Sequence, residues 1–252
     1  MIPSAVAGLR RRVKDDVRRR LRNVAPGRRL RLQLGLAAVE RYAGGRSEFR
    51  LLDAGSEEGL LCLELARHHP GWSLVAADIA EAPLRRGREW ARAEGLHVSY
   101  VRCDLTRSLG DDVYDAVLAL ESLVEIPDDR AALEAMVAAL RPGGLFVAQV
   151  PTADWTPVLK SAEHTWRREV RHGYEARELA EVLESLGLDV EQLRPTFRRL
   201  TALAQDVRDR LKHRGPRTQL LLLPLMAAAV RLEQTGIGWG PARGWFVVAT
   251  KR

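Results

Sequence analysis

The chain has 252 residues, 46% of them apolar, and a formal net charge of +7, a size and composition that suit a single α/β domain with a proper core. Its two cysteines, Cys62 and Cys103, form no CxxC and have no histidine cluster beside them. That argues against a disulfide framework or a zinc site and points to a reducing, cytoplasmic compartment.

The first residues, MIPSAVAGLRRR, place their apolar residues before the charges, the reverse of a secretory signal. Val6, Leu9, Val13, Val17, Leu21 and Val24 recur at steps of three and four with arginines on the other side. The spacing predicts an amphipathic basic helix that ends at Pro26-Gly27. A second helix is predicted over Arg28 to Tyr42, before Gly44-Gly45. Residues 1–33 hold eleven Arg or Lys against two Asp, whereas the other 219 residues hold 29 basic and 31 acidic groups. The body is therefore nearly neutral and the basic pI belongs to the arm, taken as residues 1–45.

From Phe49 onward, strand-length apolar runs alternate with helical stretches. Strands are predicted at 49–54, 73–78, 97–102, 113–120, 144–150, 188–193 and 244–250, and helices at 59–68, 82–94, 129–140 and 175–187. This alternation implies an α/β, Rossmann-like, seven-stranded, mostly parallel sheet with helices on both faces, over residues 46–252. Val113 to Leu120 is nearly continuously apolar, as a central strand should be. A helical insertion over about 194–243 precedes the last strand, with one helix from about Arg198 to Lys212 and a leucine-rich one from about Arg217 to Glu233. The run Leu220 to Val230 is too short to span a bilayer and contains Pro224.

The stretch LLDAGSEEG, residues 51–59, ends a strand and opens a helix with Gly55 and Gly59. Glycines there let backbone approach a ligand closely, and a helix N-terminus favours negative charge. Asp53, Asp78 and Asp104 each stand at or just past a strand end. In an open parallel sheet that edge is where ligands bind. Asp78 also suits the ribose of a nicotinamide cofactor, but Gly55-Ser-Glu-Glu-Gly59 lacks GxGxxG spacing.

LLDAGSEEG, VAADIAEAPLRRGREWARAEG, YVRCDL, YDAVLALESLVEIPDD and LRPGGLFVAQVP together resemble the core of class I S-adenosylmethionine-dependent methyltransferases, of the small-molecule, ubiquinone/menaquinone-type group. The resemblance covers roughly residues 48–193. It implies S-adenosyl-L-methionine as cofactor. By position it puts Asp53, Gly55, Ser56 and Gly59 at the methionine end, Asp78 on the ribose with Ile79 against the adenine, Asp104 and Leu105 at the adenine edge, and Glu121 near the reacting methyl. Glu57 departs from the family pattern, which often has glycine there; a carboxylate that blocked the pocket would imply a non-catalytic binding protein that kept the fold.

Methyl transfer from a sulfonium is an in-line displacement that needs alignment and, for some acceptors, removal of a proton. Candidate catalytic groups are Glu121 and, in HTWRREVRHGY, residues 164–174, His164 and His172, since histidine is a common general base, and Trp155 and Trp166 are candidates to wall an acceptor pocket. No metal-ligand cluster stands out, and none is expected. The acceptor class implied is a small molecule, glycan or lipid-linked compound. The basic arm has three readings: a grip on RNA phosphates, which its lack of interleaved aromatics disfavours; peripheral contact with the inner face of a membrane; or a lid. The leucine-rich helix is apolar nearly all round and is expected to be buried in a core, in a homodimer or in lipid.

Overall fold

The computed structural model describes residues 25–159, 170–211, 214, 216–235 and 239–252. They fall into two compact units, a sheet-bearing unit (31–155, 170–196 and 242–252) and a helical unit (25–30, 156–159 and the described residues of 197–241). The basic helix expected over residues 6–24 lies outside the described residues.

Helix α1 (Pro26–Ala43) contributes its residues from Arg31 on to the sheet-bearing unit. Pro26, expected to close the preceding helix, opens this one instead. A first helical residue has no intrahelical partner for its N–H, so proline costs nothing there. The sheet is built from β1 (Arg50–Ala54), β2 (Ser73–Asp78), β3 (Ser99–Arg102), β4 (Tyr114–Leu120), β5 (Leu140–Pro151), β6 (Leu188–Thr196) and β7 (Gly244–Lys251). Their order is β3-β2-β1-β4-β5-β7-β6. The pairs β1–β2, β1–β4, β2–β3 and β4–β5 are parallel, and β7 runs antiparallel to both β5 and β6. Strand order thus reverses between β1 and β4, which aligns the carboxyl ends of those two strands beside a crevice.

The connecting helices are α2 (Leu60–His68), α3 (Glu81–Glu94), α4 (Asp129–Ala139) and α5 (Ala176–Ser185). One face of the sheet (Leu52, Val117, Ala119, Phe146, Ala148, Val150) packs on Leu133, Met136 and Val137 of α4 and Leu179 and Leu183 of α5. On the other face, a side chain at Gly35 of α1 would lie 3.2 Å from both Leu61 and Leu120, so a glycine there lets helix and sheet approach closely. Strand β5 starts four residues earlier than expected. Leu140 pairs with Tyr114, and the register then slips to Ala116–Leu145. Arg141-Pro-Gly-Gly144 takes up the slip, with Gly143 at φ 72.

In the helical unit, α6 (Arg199–Leu211) and α7 (Pro216–Gln234) bury Ala202, Ala204, Met226, Ala229 and Val230. Asp206 is fully buried and accepts the Val158 and Leu159 N–H groups at 2.7 and 3.0 Å. The leucine-rich helix is not enclosed all round within the chain: Leu221, Leu225 and Leu232 are exposed. No helix among the described residues is long and apolar enough to cross a membrane.

Candidate functional site

The turn after β1 is folded back on β2. The Gly55 and Ser56 N–H groups both donate to the Ala77 carbonyl, at 2.8 and 2.9 Å. Gly55 sits at φ 80, and a Cβ on it would lie 2.2 Å from Cβ of Ser122. Ser122 in turn donates its hydroxyl to the Ala54 carbonyl at 2.8 Å, tying the ends of β1 and β4 together. Gly59 is also left-handed (φ 66) and caps α2, with a Cβ position 2.8 Å from that of Ala76. Both glycines are thus required by backbone conformation and by close approach. Glu57 is left-handed too, at φ 50, which accounts for the family's glycine at this place. Its side chain is exposed. The Ser56 hydroxyl is buried without a hydrogen-bond partner.

Three carboxylates surround this turn. Asp53, at the end of β1, is 5% exposed. Burial, and then the charges of Asp78 and Glu57, push its pKa up to about 7. The same burial, with Asp53 nearby, raises the thiol of Cys62. Asp78, at the end of β2, accepts the Glu57 N–H at 2.8 Å on one oxygen and the Ala80 N–H at 2.8 Å on the other. It therefore braces the glycine turn and keeps lone pairs in reserve for a ligand. Ile79 beside it is 64% exposed, an apolar surface on offer at the sheet edge. Asp104 accepts the Thr106 N–H (3.0 Å) and hydroxyl (2.8 Å) on one oxygen, which holds its carboxyl below the usual range. Leu105, expected at the adenine edge, turns its side chain into the hydrophobic core at 7% exposure.

Two supports of the turn were not singled out from the sequence. Glu58 is fully buried, and Arg86 of α3 reaches it with Nε and Nη2 at 3.2 and 2.7 Å. Gly87 lets α3 come this close, since a Cβ there would stand 2.2 Å from the Glu58 carbonyl oxygen. The signal was present as a glycine inside a helical pattern.

Across the crevice, Glu121 follows β4 at φ 65 and donates its N–H to the Gln149 carbonyl at 2.7 Å. Left-handed non-glycine residues are costly and collect at functional edges. Its carboxylate is ion-paired with Arg31 of α1, a partner ninety positions away in sequence. Gln149 is fully buried on β5 and Thr196 nearly so on β6, and neither side chain has a hydrogen-bond partner. His172 is exposed and stacks on Trp155, with ring centroids 5.3 Å apart. Its loop is held by Arg171, which bonds Asp129 at 3.1 Å, Glu178, and the Gly173 carbonyl at 2.8 Å. His164, Trp166 and Glu169 lie outside the described residues. Among the described residues no group of His, Cys, Asp or Glu is placed to hold a metal ion.

The carboxyl edge thus carries acids on the β1, β2 and β3 side, and on the β4, β5 and β6 side buried amide and hydroxyl groups together with the Glu121–Arg31 pair and the pairs of Arg171 with Asp129 and Glu178. The residues present fit an adenosyl-type cofactor on the first half: a buried carboxylate for positive charge, a reserve acceptor for hydroxyls, an exposed isoleucine for a base and an orphan hydroxyl in the turn.

Comparison with known proteins gives the following. The family described as a methyltransferase domain matches residues 9–193. A ubiquinone biosynthesis O-methyltransferase of Cronobacter sakazakii is 26% identical over 159 residues, 61% of this chain and 65% of that protein. Among solved structures, phosphoethanolamine N-methyltransferase 2 of Haemonchus contortus, in complex with S-adenosyl-L-methionine, superposes with a TM-score of 0.64 at 18% identity, over 87% of this chain and 52% of that one. The [4+2]-cyclase SpnF superposes with a TM-score of 0.63 at 19% identity, over 86% of this chain and 79% of that one. At such identities the structural likeness concerns the fold alone.

Proposed function

The chain belongs to the methyltransferase-domain family, and from that premise we propose that it transfers the methyl group of S-adenosylmethionine to a hydroxyl oxygen of a small-molecule acceptor. The observation that carries the reading is the Asp53 carboxylate, buried beside two other acids at the glycine turn with a pKa raised to about 7. A site of that kind favours a ligand bearing positive charge. The cofactor supplies, when bound, a methyl group activated on a positive sulfur.

In this reading Asp53 faces the positive end of the cofactor, and the Ser56 hydroxyl completes its polar contacts. Asp78 holds the ribose hydroxyls with the lone pairs that Glu57 and Ala80 leave over. Ile79 lies against the adenine, and Asp104 meets its edge. Glu57 is exposed on the turn, which favours a retained cofactor site over a binding protein that has lost its cofactor. Glu121 is engaged by Arg31 and acts as a strut between α1 and the end of β4 rather than as a base. His172 is the proposed general base: it is exposed, and Trp155 and the Arg171 contacts hold its loop at the end of β5. Transfer to oxygen is supported by the O-methyltransferase relative, at 26% identity.

The test is calorimetry with S-adenosylmethionine, followed by transfer of a labelled methyl group to hydroxylated aromatic compounds. Micromolar binding and labelled product support the reading; failure to bind the cofactor at millimolar concentration refutes it.

A further inference from the structure

Helix α7 turns an apolar face to water. Leu221, Pro224, Leu225, Ala228 and Leu232 are all exposed, Leu221 at 82%, Leu225 at 60% and Leu232 at 40%. Steps of three and four place them on one stripe, which runs about 16 Å along the helix. The opposite face already has its cover. Met226, Ala229 and Val230 are buried, and Thr201 of α6 donates its hydroxyl to the Ala229 carbonyl at 3.5 Å. Of the three settings expected for this helix, the core thus takes one side and leaves the other.

An apolar stripe left in water is costly, and such faces mark contact with something outside the chain. The charges around it narrow the occupant. Residues 197–235 hold eight Arg or Lys against three Asp or Glu. All three acids are engaged within the unit. Asp206 is fully buried on the Val158 and Leu159 N–H groups, Asp209 accepts from Gln205 and Arg208, and Glu233 accepts the Arg198 N–H at 3.2 Å. Arg199, Arg210, Arg214 and Arg231 are exposed, and Arg231 adjoins Leu232 at the edge of the stripe. No exposed described residue of α7 is acidic. Trp239 is 54% exposed, with its carbonyl accepting the Arg199 N–H at 3.2 Å at the start of α6.

A second copy of the chain fits this face poorly. A two-fold pairing of α7 would set one basic rim against another, with no acid to answer it. A nucleic acid would answer the charge and leave the leucines in water. An anionic lipid surface answers both. Leucines enter the boundary between headgroups and acyl chains, arginines reach the headgroups, and tryptophan is at home at that level.

We propose that α7 docks the protein on an anionic lipid surface, with Leu221, Leu225 and Leu232 in the boundary layer and the arginines of the helical unit on the headgroups. The docking face is separate from the glycine turn and does not depend on the methyl-transfer reading.

The test is flotation of the full chain with phosphatidylcholine vesicles, with and without phosphatidylglycerol, at low and at raised salt. Wild type is expected to float with the anionic vesicles and not with the neutral ones, less so as salt screens the charges. Leu221→Gln with Leu225→Gln should raise the lipid concentration for half-binding roughly tenfold or more. Its melting temperature should match wild type, because both side chains already face water. Arg231→Gln should weaken binding roughly fivefold, as one arginine near a charged surface does. Absence of wild-type flotation at low salt overturns the proposal, as does equal flotation with neutral vesicles. Undiminished binding of L221Q/L225Q overturns it too, since attachment then runs through another segment, such as the basic arm. A wild-type dimer in sedimentation equilibrium that L221Q/L225Q dissolves would assign the face to a second copy instead.

Discussion

Replacing Asp53 by Asn tests the electrostatics of the glycine turn. The carboxyl has an ordinary value of 3.8 and is raised to about 7 in the folded chain. Between about pH 4 and 7 the folded protein therefore holds a proton that the unfolded chain has released. The stability this contributes is present below pH 4 and is lost as pH rises to about 7. A shift of this size corresponds to about 4 kcal/mol, an upper figure because water and relaxation soften buried charge. Urea unfolding at pH 5, 6, 7 and 8 measures it. Asp53→Asn should gain on wild type steadily over that range and then run parallel to it. Cofactor binding should respond the other way. A cation selects the ionised carboxylate, so affinity for S-adenosylmethionine should tighten by roughly tenfold or more from pH 5 to pH 7, with proton release over that range. An α-amino group titrates near 8, so the window from pH 5 to 7 isolates the Asp53 effect. The Asn variant should bind more weakly and lose the response. S-adenosylhomocysteine, which has no positive sulfur, should show a smaller dependence. If the variant keeps wild-type affinity and slope, Asp53 does not face the cofactor and the assignment fails.

Other changes probe the supports. Gly55→Ala forces a Cβ to within 2.2 Å of that of Ser122 at φ 80; a loss of about 2–4 kcal/mol in urea unfolding is expected, with cofactor binding lost first. Glu57→Gly relieves a left-handed glutamate at φ 50 and should stabilise by about 1 kcal/mol without weakening cofactor binding, because the lost strain exceeds the added chain entropy. Arg86→Ala leaves Glu58, which is fully buried, without its guanidinium. The expected cost is about 2 kcal/mol, below the usual range for a buried pair because Arg86 itself reaches solvent, and a melting point unchanged at pH 7 would contradict that. Changing His172 to Ala should lower turnover roughly a hundredfold near pH 7 with cofactor affinity intact; equal turnover would discard it as the base.

The alternation of strands and helices, the glycine turn and the acids at the ends of β1, β2 and β3 were legible in the residues, because each depends on local period or on a turn's own backbone demands. Boundaries were close for the same reason, apart from β5, where the start is set by its register against β4, and β6, whose pairing with β7 carries it three residues past its expected end, to Thr196. Tertiary structure decided the rest. The insertion of β7 between β5 and β6 brings Gln149, Thr196 and Gly244 together from three strands, and nothing near any of them in sequence announces the others. Arg31 meets Glu121, and Arg86 meets Glu58, only because helices pack on particular faces of the sheet. Leu105 follows an acid at the edge yet points into the core, since which way a loop residue turns is settled by the space beneath it. Local rules name which groups stand at an edge; only the packed sheet, through register and close approach, determines which of them face one another and which are left without a partner.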